Sequence, residues 1–322
     1  MLARKMKLML NGDEICSTPL LIKSFSSRIN LDICGIIEIL GEYISGPILI
    51  SAYDLHYTKE FPSLEFADIL FIDSGGYECS LDDLISEIGY YRPESYDWNK
   101  NLHLTSLNKW DNGVPTAVIS YDHPSKREKI EEQIENAKKL FDGRDDILKE
   151  LLIKAEDKNA IIDIDNIIKN MEAISYFDIL GFTEKELGNS IIERMVTIAK
   201  LRKEMDKNGI EIPIHIFGSL DTITTPLYYF SGADIFDSLS WLRFTFYEGG
   251  TFYPEGISSQ IHGIRKNTSI INILNIIQNY KYLIEFKRDL EMFQNTGDFA
   301  IFKNNSEFFE NAYNELQKEL GE

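Results

Sequence analysis

Two short apolar runs, Ile212-Pro-Ile-His-Ile-Phe-Gly218 and Ala233-Asp-Ile-Phe-Asp237, decide the fold class of this chain. Runs this short and this continuously apolar are typical of strands that are buried on both faces. A parallel sheet needs such strands, because helices cover both of its faces. Each run ends in a small or acidic residue, at the point where a buried strand would emerge from the sheet.

The same pattern recurs along the chain, and longer amphipathic segments separate the runs. The further apolar runs cover residues 47–52, 69–73, 116–122, 151–154 and 176–181. The amphipathic segments include residues 126–141 and 191–208. This alternation indicates repeated βα units, and the number of runs favours an α/β fold of the (β/α)8 TIM-like barrel type. An open doubly wound sheet is the alternative, but no G-x-G-x-x-G fingerprint supports it.

Beyond Arg243 the pattern changes from alternating runs to long helices. Residues 247–253 predict a turn or hairpin, and helical patterns follow at 268–293 and 306–320. The simplest organisation is a barrel over residues 1–262 with a helical C-terminal appendage over residues 263–322.

Composition bounds the class of protein. Hydrophobic residues make up 43% of the 322 residues, which is ample for a large core. No apolar run is long enough for a membrane span, and the basic start is not followed by the apolar core of a signal peptide. Three scattered cysteines, Cys16, Cys34 and Cys79, argue against a disulfide framework. We therefore expect a cytoplasmic protein with no membrane partner.

The net charge of −19, from 33 basic and 52 acidic residues, counts against extensive contact with a nucleic-acid backbone. A local basic patch on an acidic protein remains compatible with binding. Three short basic clusters are candidates, although solvated helix faces are the favoured interpretation of each one alone. These clusters lie at residues 126–129, 200–203 and 265–266.

Two motifs carry a resemblance to a known family. The segment Gly232-Ala-Asp-Ile-Phe-Asp-Ser-Leu-Ser-Trp-Leu-Arg243 resembles the G-x-D-x-F-D-x-x-x-P-T-R signature of tRNA-guanine transglycosylases, and Asp73-Ser-Gly-Gly-Tyr77 resembles their D-S-G-G-F/Y loop. These enzymes exchange a base in a nucleic acid. The resemblance implies a barrel in which Asp237 is the nucleophile, Asp73 is the acid/base and Tyr77 stacks on the base.

That chemistry makes specific demands of a site. Cleavage of the glycosidic bond develops positive charge at C1′, which a carboxylate can stabilise or attack. A second carboxyl group must handle the proton of the departing base. The base must leave its stack and be held by an aromatic face and by hydrogen bonds. The purely structural alternative is that aspartates at strand ends cap the following helices.

The resemblance also implies a set of base-binding residues and a phosphate ligand. The base-binding set is Ser74, Gly75, Gly76, Tyr77, Glu78, Asp122, Gly181 and His215. Asp122, within Ser120-Tyr-Asp-His-Pro124, would read the base edge, and His215 falls where the family often has a stacking methionine. An ordinary buried core residue is the alternative for His215. Arg243 falls at the position of the phosphate-binding arginine, with a surface salt bridge as its alternative.

The chain departs from the family at its zinc site and in its base pocket. The family zinc needs a C-x-C-x-x-C cluster and a histidine, but no cysteine follows Cys79 and Gln278 stands at the histidine position. We therefore expect no metal and no cofactor, with the appendage held by an apolar stripe of Ile270, Ile271, Ile273, Leu274 and Ile277. Segment 151–156 has no counterpart of the family's Q-G-G, and an ionised Glu78 could only accept hydrogen bonds.

The leading hypothesis is an enzyme that cleaves an N-glycosidic bond in DNA or RNA through Asp237 and exchanges the base. The incoming base would be a modified purine such as a 7-deazaguanine, so the partners would be a nucleic acid and a free nucleobase. Whether the protein forms a homodimer or binds a partner subunit stays open. The alternatives are a glycosylase that only excises the base, a non-catalytic subunit of a transglycosylase complex, and an unrelated metal-dependent barrel hydrolase.

Overall fold

The protein is described here from a computed structural model that covers residues 2–29, 31–79, 94–110, 113–122, 126–158 and 160–322. A closed barrel of parallel strands runs in the order β10-β3-β4-β5-β6-β7-β8-β9. Its strands are β3 Leu20–Ser24, β4 Ile48–Ser51, β5 Leu70–Asp73, β6 Thr116–Ile119, β7 Leu148–Ile153, β8 Ile179–Thr183, β9 Ile214–Phe217 and β10 Ile235–Ser238. The predicted α/β barrel is thus confirmed.

Two small antiparallel sheets accompany the barrel. One joins β1 Lys7–Leu10 to β2 Asp13–Ser17, and the other joins β11 Thr245–Tyr247 to β12 Gly250–Phe252. The second sheet confirms the hairpin expected between residues 247 and 253.

Helices follow most of the barrel strands and build the C-terminal region. They are α1 Ile33–Leu40, α2 Ala52–Tyr57, α3 Gly76–Cys79, α4 Lys100–Lys109, α5 Ile130–Phe141, α6 Ile164–Lys169, α7 Met171–Ile174, α8 Ile191–Lys207, α9 Thr224–Phe230, α10 Ser240–Arg243, α11 Pro254–His262, α12 Thr268–Thr296 and α13 Ser306–Glu319. Short 3₁₀ helices cover Glu184–Leu187 and Phe299–Asn305. Among the described residues, no helix combines the length and the apolar character that crossing a membrane requires.

All seven apolar runs coincide with barrel strands, but the eighth strand, β3, was not predicted. Only Leu20, Leu21 and Ile22 form its apolar run, and the buried polar residues Lys23 and Ser24 complete it. A three-residue run is too short to stand out by periodicity, because ordinary loops contain such runs as well.

The contacts within the chain divide it into two compact units. The first unit comprises Met1–Met6, Ser17–Lys23 and Phe182–Glu322. The second unit comprises Lys7–Cys16 and Ser24–Gly181.

In the first unit, a buried ion pair closes the amino-terminal side of β10. Arg202 and Asp234 are both fully buried and form a salt bridge. Asp234 Oδ2 also accepts from the Ile214 amide at 2.8 Å, and Arg202 Nε donates to the Gly232 carbonyl at 2.9 Å. A nucleic-acid patch that includes Arg202 is therefore wrong, since this guanidinium is occupied inside the protein.

The long helix α12 is well delimited, but its buried face differs from the predicted one. Asn267 caps its start by accepting from the Ile270 amide, and Gly297 ends it in a left-handed conformation. The predicted stripe is wrong, because Ile270 and Ile273 are exposed. The buried residues of α12 are instead Asn275, Ile276, Asn279, Leu283, Phe286, Leu290 and Phe293.

Asn279 fastens α12 to the segment that follows β10. Its Nδ2 donates to the carbonyl oxygens of Trp241 at 2.7 Å and Phe244 at 2.6 Å. Its Oδ1 accepts from the Phe246 amide at 2.7 Å. One fully buried side chain thus binds three backbone groups of the segment 241–246. This residue is the asparagine of Gln278-Asn-Tyr280, the segment that resembles the family's H-N-L helix.

We expect Asn279→Ala to lower the free energy of unfolding by roughly 3 kcal/mol or more. The substitution leaves three backbone groups without this partner, two of them in buried hydrogen bonds, and each buried unsatisfied group costs about 1–3 kcal/mol. Urea denaturation would measure the change. Asn295→Ala, at an exposed site of the same helix, is the matched control and should cost less than about 1 kcal/mol. Equal losses in the two variants would contradict the role of Asn279.

Candidate functional site

Asp237 lies in the first unit, near the carboxyl end of β10, where barrel enzymes keep catalytic groups. Its Oδ1 accepts from the Gly218 amide at 3.1 Å, and the Leu220 amide donates to its backbone carbonyl at 3.1 Å. Its side chain is 9% exposed, so the carboxylate is held in place while it keeps an opening to solvent.

His215 stands beside Asp237 and is fully buried. Its Nε2 lies 3.3 Å from Asp237 Oδ1, at ion-pair distance for a protonated imidazole. The ring also stacks on Phe217, with centroids 3.9 Å apart and planes 27° apart. Because the imidazole is packed against Phe217 and lies beside Asp237, it is suited to orient the Asp237 carboxylate. A base-stacking role for His215 stays a prediction, since Phe217 covers one face of the ring.

Gly218 leaves open space next to this carboxylate. Its φ of +80° lies in the left-handed region, and a Cβ at this position would meet no atom within 4 Å. The backbone can therefore turn sharply after β9 and still present its amide to Asp237. The position that a Cβ would take at Gly218 is therefore open space.

Arg243 ends the short helix α10, six residues after Asp237, and is partly exposed. The backbone around it is fixed by Asn279, which binds the carbonyls of Trp241 and Phe244. The position of Arg243 is thus anchored, and its contact with a phosphate stays a prediction.

In the second unit, the Asp73-Ser-Gly-Gly-Tyr77 loop is built against Asp122. Ser74 Oγ donates to Asp122 Oδ1 and accepts from the Gly76 amide at 3.2 Å. A Cβ at Gly76 would lie 2.7 Å from the same carboxylate oxygen. The structure therefore brings the two predicted segments together, and Asp122 serves as the anchor of the loop.

Position 75 also requires glycine, because other side chains lie close to its backbone. Its φ is +85°, and a Cβ there would lie 2.7 Å from Tyr53 Cβ and 2.9 Å from Trp98 Nε1. The Trp98 indole in turn donates to the Ser74 carbonyl at 2.8 Å. The two glycines thus let the backbone turn between an aromatic pair on one side and a carboxylate on the other.

Tyr77 carries a cation on one face of its ring. The guanidinium carbon of Arg28 lies 4.9 Å from the ring centroid, and Arg28 Nη1 donates to the Tyr77 carbonyl at 2.6 Å. An arginine stacked on tyrosine holds the ring in one orientation. Stacking of a base on the opposite face stays a prediction.

Glu78 is buried beneath this loop. Its Oε1 accepts from Ser26 Oγ at 2.5 Å, while Oε2 is buried without a hydrogen-bond partner among the described residues. Burial, and then the neighbouring carboxylates Asp54 and Asp73, raise the pKa of Glu78 well above its usual range. Glu78 is therefore not restricted to accepting hydrogen bonds, because a protonated carboxyl can also donate one.

The sequence patterns did not identify Lys154 as a site residue, although it directly follows β7. Its Nζ lies 3.8 Å from Asp122 Oδ2. Its signal in the sequence is a charged residue at the end of an apolar run, the same signal that marks Asp122 and Asp237. Lys154 lies within the segment in which the family's Q-G-G has no counterpart.

The other predicted site residues lie in β8 or outside the described residues. Gly181 is buried in the middle of β8, and its backbone contact with a base stays a prediction. His123 and Pro124, the end of the Asp122 motif, lie outside the described residues. Within the described ranges, no group of three or more His, Cys, Asp or Glu side chains is arranged to hold a metal ion.

Known proteins offer no direct guide to this site. No model of a protein family matches the chain, and no curated protein matches it. The roles of these residues are therefore argued from their geometry and from the motif resemblance.

We expect Gly75→Ala to destabilise the protein more than Gly143→Ala. Both glycines have a positive φ, but a Cβ at Gly143 would meet nothing within 4 Å. Gly143→Ala should cost about 1 kcal/mol for backbone strain alone. Gly75→Ala should add about 1–3 kcal/mol because Tyr53 and Trp98 must move. Denaturant melts of both variants would measure the difference, and equal costs would contradict a packed loop.

We expect Glu78→Gln to become more favourable to stability as the pH rises. A raised folded pKa means that the protonated carboxyl contributes stability fully below the ordinary glutamate pKa. That stability is lost as the pH rises through the raised value, whereas a glutamine does not titrate. The melting temperature of the variant relative to the native protein should thus increase between about pH 5 and about pH 9.

The exposed Glu65→Gln is the control for this measurement, since it removes the same charge from the surface of the same unit. A pH-independent difference for Glu78→Gln would show that Glu78 is ionised throughout.

Proposed function

We propose that this protein cleaves an N-glycosidic bond in a nucleic acid through Asp237 and exchanges the base. The observation that carries the proposal is the arrangement of Asp237 at the end of β10, held by the Gly218 amide and the His215 ring. A fixed carboxylate with an open side is what attack on C1′ requires. The tRNA-guanine transglycosylase resemblance of its motif supports the same role.

The reaction would proceed in two displacements. The Asp237 carboxylate bonds to C1′ while the C1′–N bond breaks, and the departing base takes a proton from a general acid, the role that the resemblance implies for Asp73. An incoming base then gives its proton to the conjugate base of that acid and bonds to C1′, which frees Asp237. Asp73 ends β5 within the second unit, also at the carboxyl end of a barrel strand.

The loop around Asp122 supports recognition of a base. The Asp122 carboxylate accepts hydrogen bonds, and Lys154 donates them 3.8 Å away. A carboxylate beside an ammonium suits a base edge that presents an N–H next to a carbonyl, as oxopurines and 7-deazaguanines do. The proposed partners are accordingly a nucleic acid and a free nucleobase, in the cytoplasm.

The proposal is tested by incubating the protein with bulk tRNA and with genomic DNA, together with labelled guanine or a labelled 7-deazaguanine. Incorporated label would indicate exchange. Abasic sites without added base would instead indicate a glycosylase, which uses water to resolve the same intermediate. Neither product from any substrate would overturn the proposal and favour a non-catalytic subunit.

We expect Asp237→Asn to reduce the rate by about two orders of magnitude or more. The asparagine oxygen can still accept from the Gly218 amide, so the fold should be kept while the charge at C1′ is lost. Asp13→Asn, at an exposed position of β2, removes one negative charge as a control and should leave the rate unchanged. Near-normal turnover by Asp237→Asn would exclude it as the nucleophile.

A further inference from the structure

An exposed tyrosine stands in the first unit, on the part of the chain that leaves the carboxyl end of β10. Tyr253 directly follows β12 and is 71% exposed. Its ring contacts that of Phe244, with centroids 6.0 Å apart and planes 66° apart. Because this contact is edge-on and the exposure is large, at least one face of the Tyr253 ring is open to solvent. The proposed bond cleavage does not use this ring.

The backbone that carries Tyr253 is fixed on both sides. Pro254 begins α11, and a residue before proline is restricted to extended conformations, in agreement with the φ of −64° and ψ of 132° at Tyr253. A buried hydrogen bond of 2.6 Å from Ser258 Oγ to Asn275 Oδ1 ties α11 to α12. On the other side, β12 is paired with β11. A ring that is held in this way loses little freedom when it binds a ligand.

The surface at Tyr253 suits a small planar ligand better than a protein. Of residues 251–256, only Phe252 and Tyr253 are large and apolar. The Phe252 ring lies against its own hairpin, since a Cβ at Gly250 would lie 2.5 Å from it. Two aromatic side chains bury at most about 500 Å², whereas each partner of a stable protein interface buries about 800 Å². A single open ring instead matches a nucleobase, which stacks on aromatic side chains.

Stacking is also the contact that an acidic surface can offer to a polyanion. The chain carries a net charge of −19, and Glu255 is exposed two residues after Tyr253. These negative charges disfavour a phosphate contact at this point. Stacking engages the face of a base and needs no cation, so it adds affinity where phosphate contacts cannot.

The position of the ring relative to Asp237 is limited by the short chain between them. Asp237 and Phe244 are seven residues apart, and α10 shortens the path, so their backbones are at most about 20 Å apart. A stacked strand advances about 3.4 Å per nucleotide and crosses this distance in about six nucleotides. A strand bound at Asp237 can therefore also contact the ring that packs on Phe244.

We propose that Tyr253 stacks on a second base of the nucleic-acid strand, outside the base that is exchanged. The proposal rests on the proposed function for the identity of the strand. The contact holds the strand without neutralising a phosphate and without reading a sequence, because every base has a face on which a ring can stack.

The test measures binding of a labelled single-stranded oligonucleotide of about 20 nucleotides, as DNA and as RNA, at several salt concentrations. Tyr253→Ala should weaken binding about 5- to 150-fold, the range for the loss of one stacked base. The log–log salt slope should stay that of the native protein, because no phosphate contact is lost. Tyr253→Phe should keep the native affinity because it keeps the ring, whereas the apolar but non-planar Tyr253→Leu should not.

Tyr43→Ala is the matched control. Tyr43 is 70% exposed, so this substitution removes a tyrosine of equal exposure, but it lies in the second unit. The variant should keep the native affinity. A second control uses a sugar–phosphate strand of the same length without bases. The native protein and Tyr253→Ala should bind this strand equally, since it offers nothing that can stack.

Native affinity in Tyr253→Ala would overturn the proposal, and so would a native protein that binds no oligonucleotide. Full recovery by Tyr253→Leu would overturn it as well, because the contact would then be apolar rather than stacked. Base exchange is measured separately on the same proteins. Binding that depends on Tyr253 without any base exchange or release would sink the proposed function and leave this inference standing. Base exchange together with binding that ignores Tyr253 would do the reverse.

Discussion

The carboxylate of Asp122 occupies the space into which a side chain at position 76 would project, and this constraint shapes the whole loop after β5. Ser74 donates to that carboxylate, and the Gly76 amide binds Ser74 in turn. On the opposite side Gly75 packs against Tyr53 and Trp98 at distances that exclude a Cβ. A segment fixed from both sides can present Asp73 and Tyr77 without rearrangement, which lowers the cost of binding a ligand.

The nucleophile candidate is held by a different means. Asp237 receives a backbone amide from Gly218 and faces the buried ring of His215, so its orientation depends on the turn after β9. The segment that follows β10 is fastened independently by Asn279. A carboxylate held by fixed dipoles needs no reorganisation when positive charge develops nearby, which is the basis of electrostatic stabilisation in enzymes.

Sequence patterns predicted the barrel well because strands buried on both faces leave continuous apolar runs. Strand β3 was not predicted because its apolar run is only Leu20 to Ile22. The buried face of α12 was not predicted because two of its buried positions are asparagines. Apolar periodicity cannot reveal a polar side chain that is buried to bind backbone groups. Lys154 and the neutralising surroundings of Glu78 depend on contacts between distant segments, which no local pattern encodes.

The hydrogen bonds of Asn279 between α12 and the segment after β10 join one carboxamide to three backbone groups. In the family that this chain resembles, the corresponding region is organised by zinc and cysteine thiolates, which chelators strip and oxidants attack. A carboxamide is open to neither reaction. The hydrogen bonds of Asn279 therefore use neither a metal ion nor a thiol.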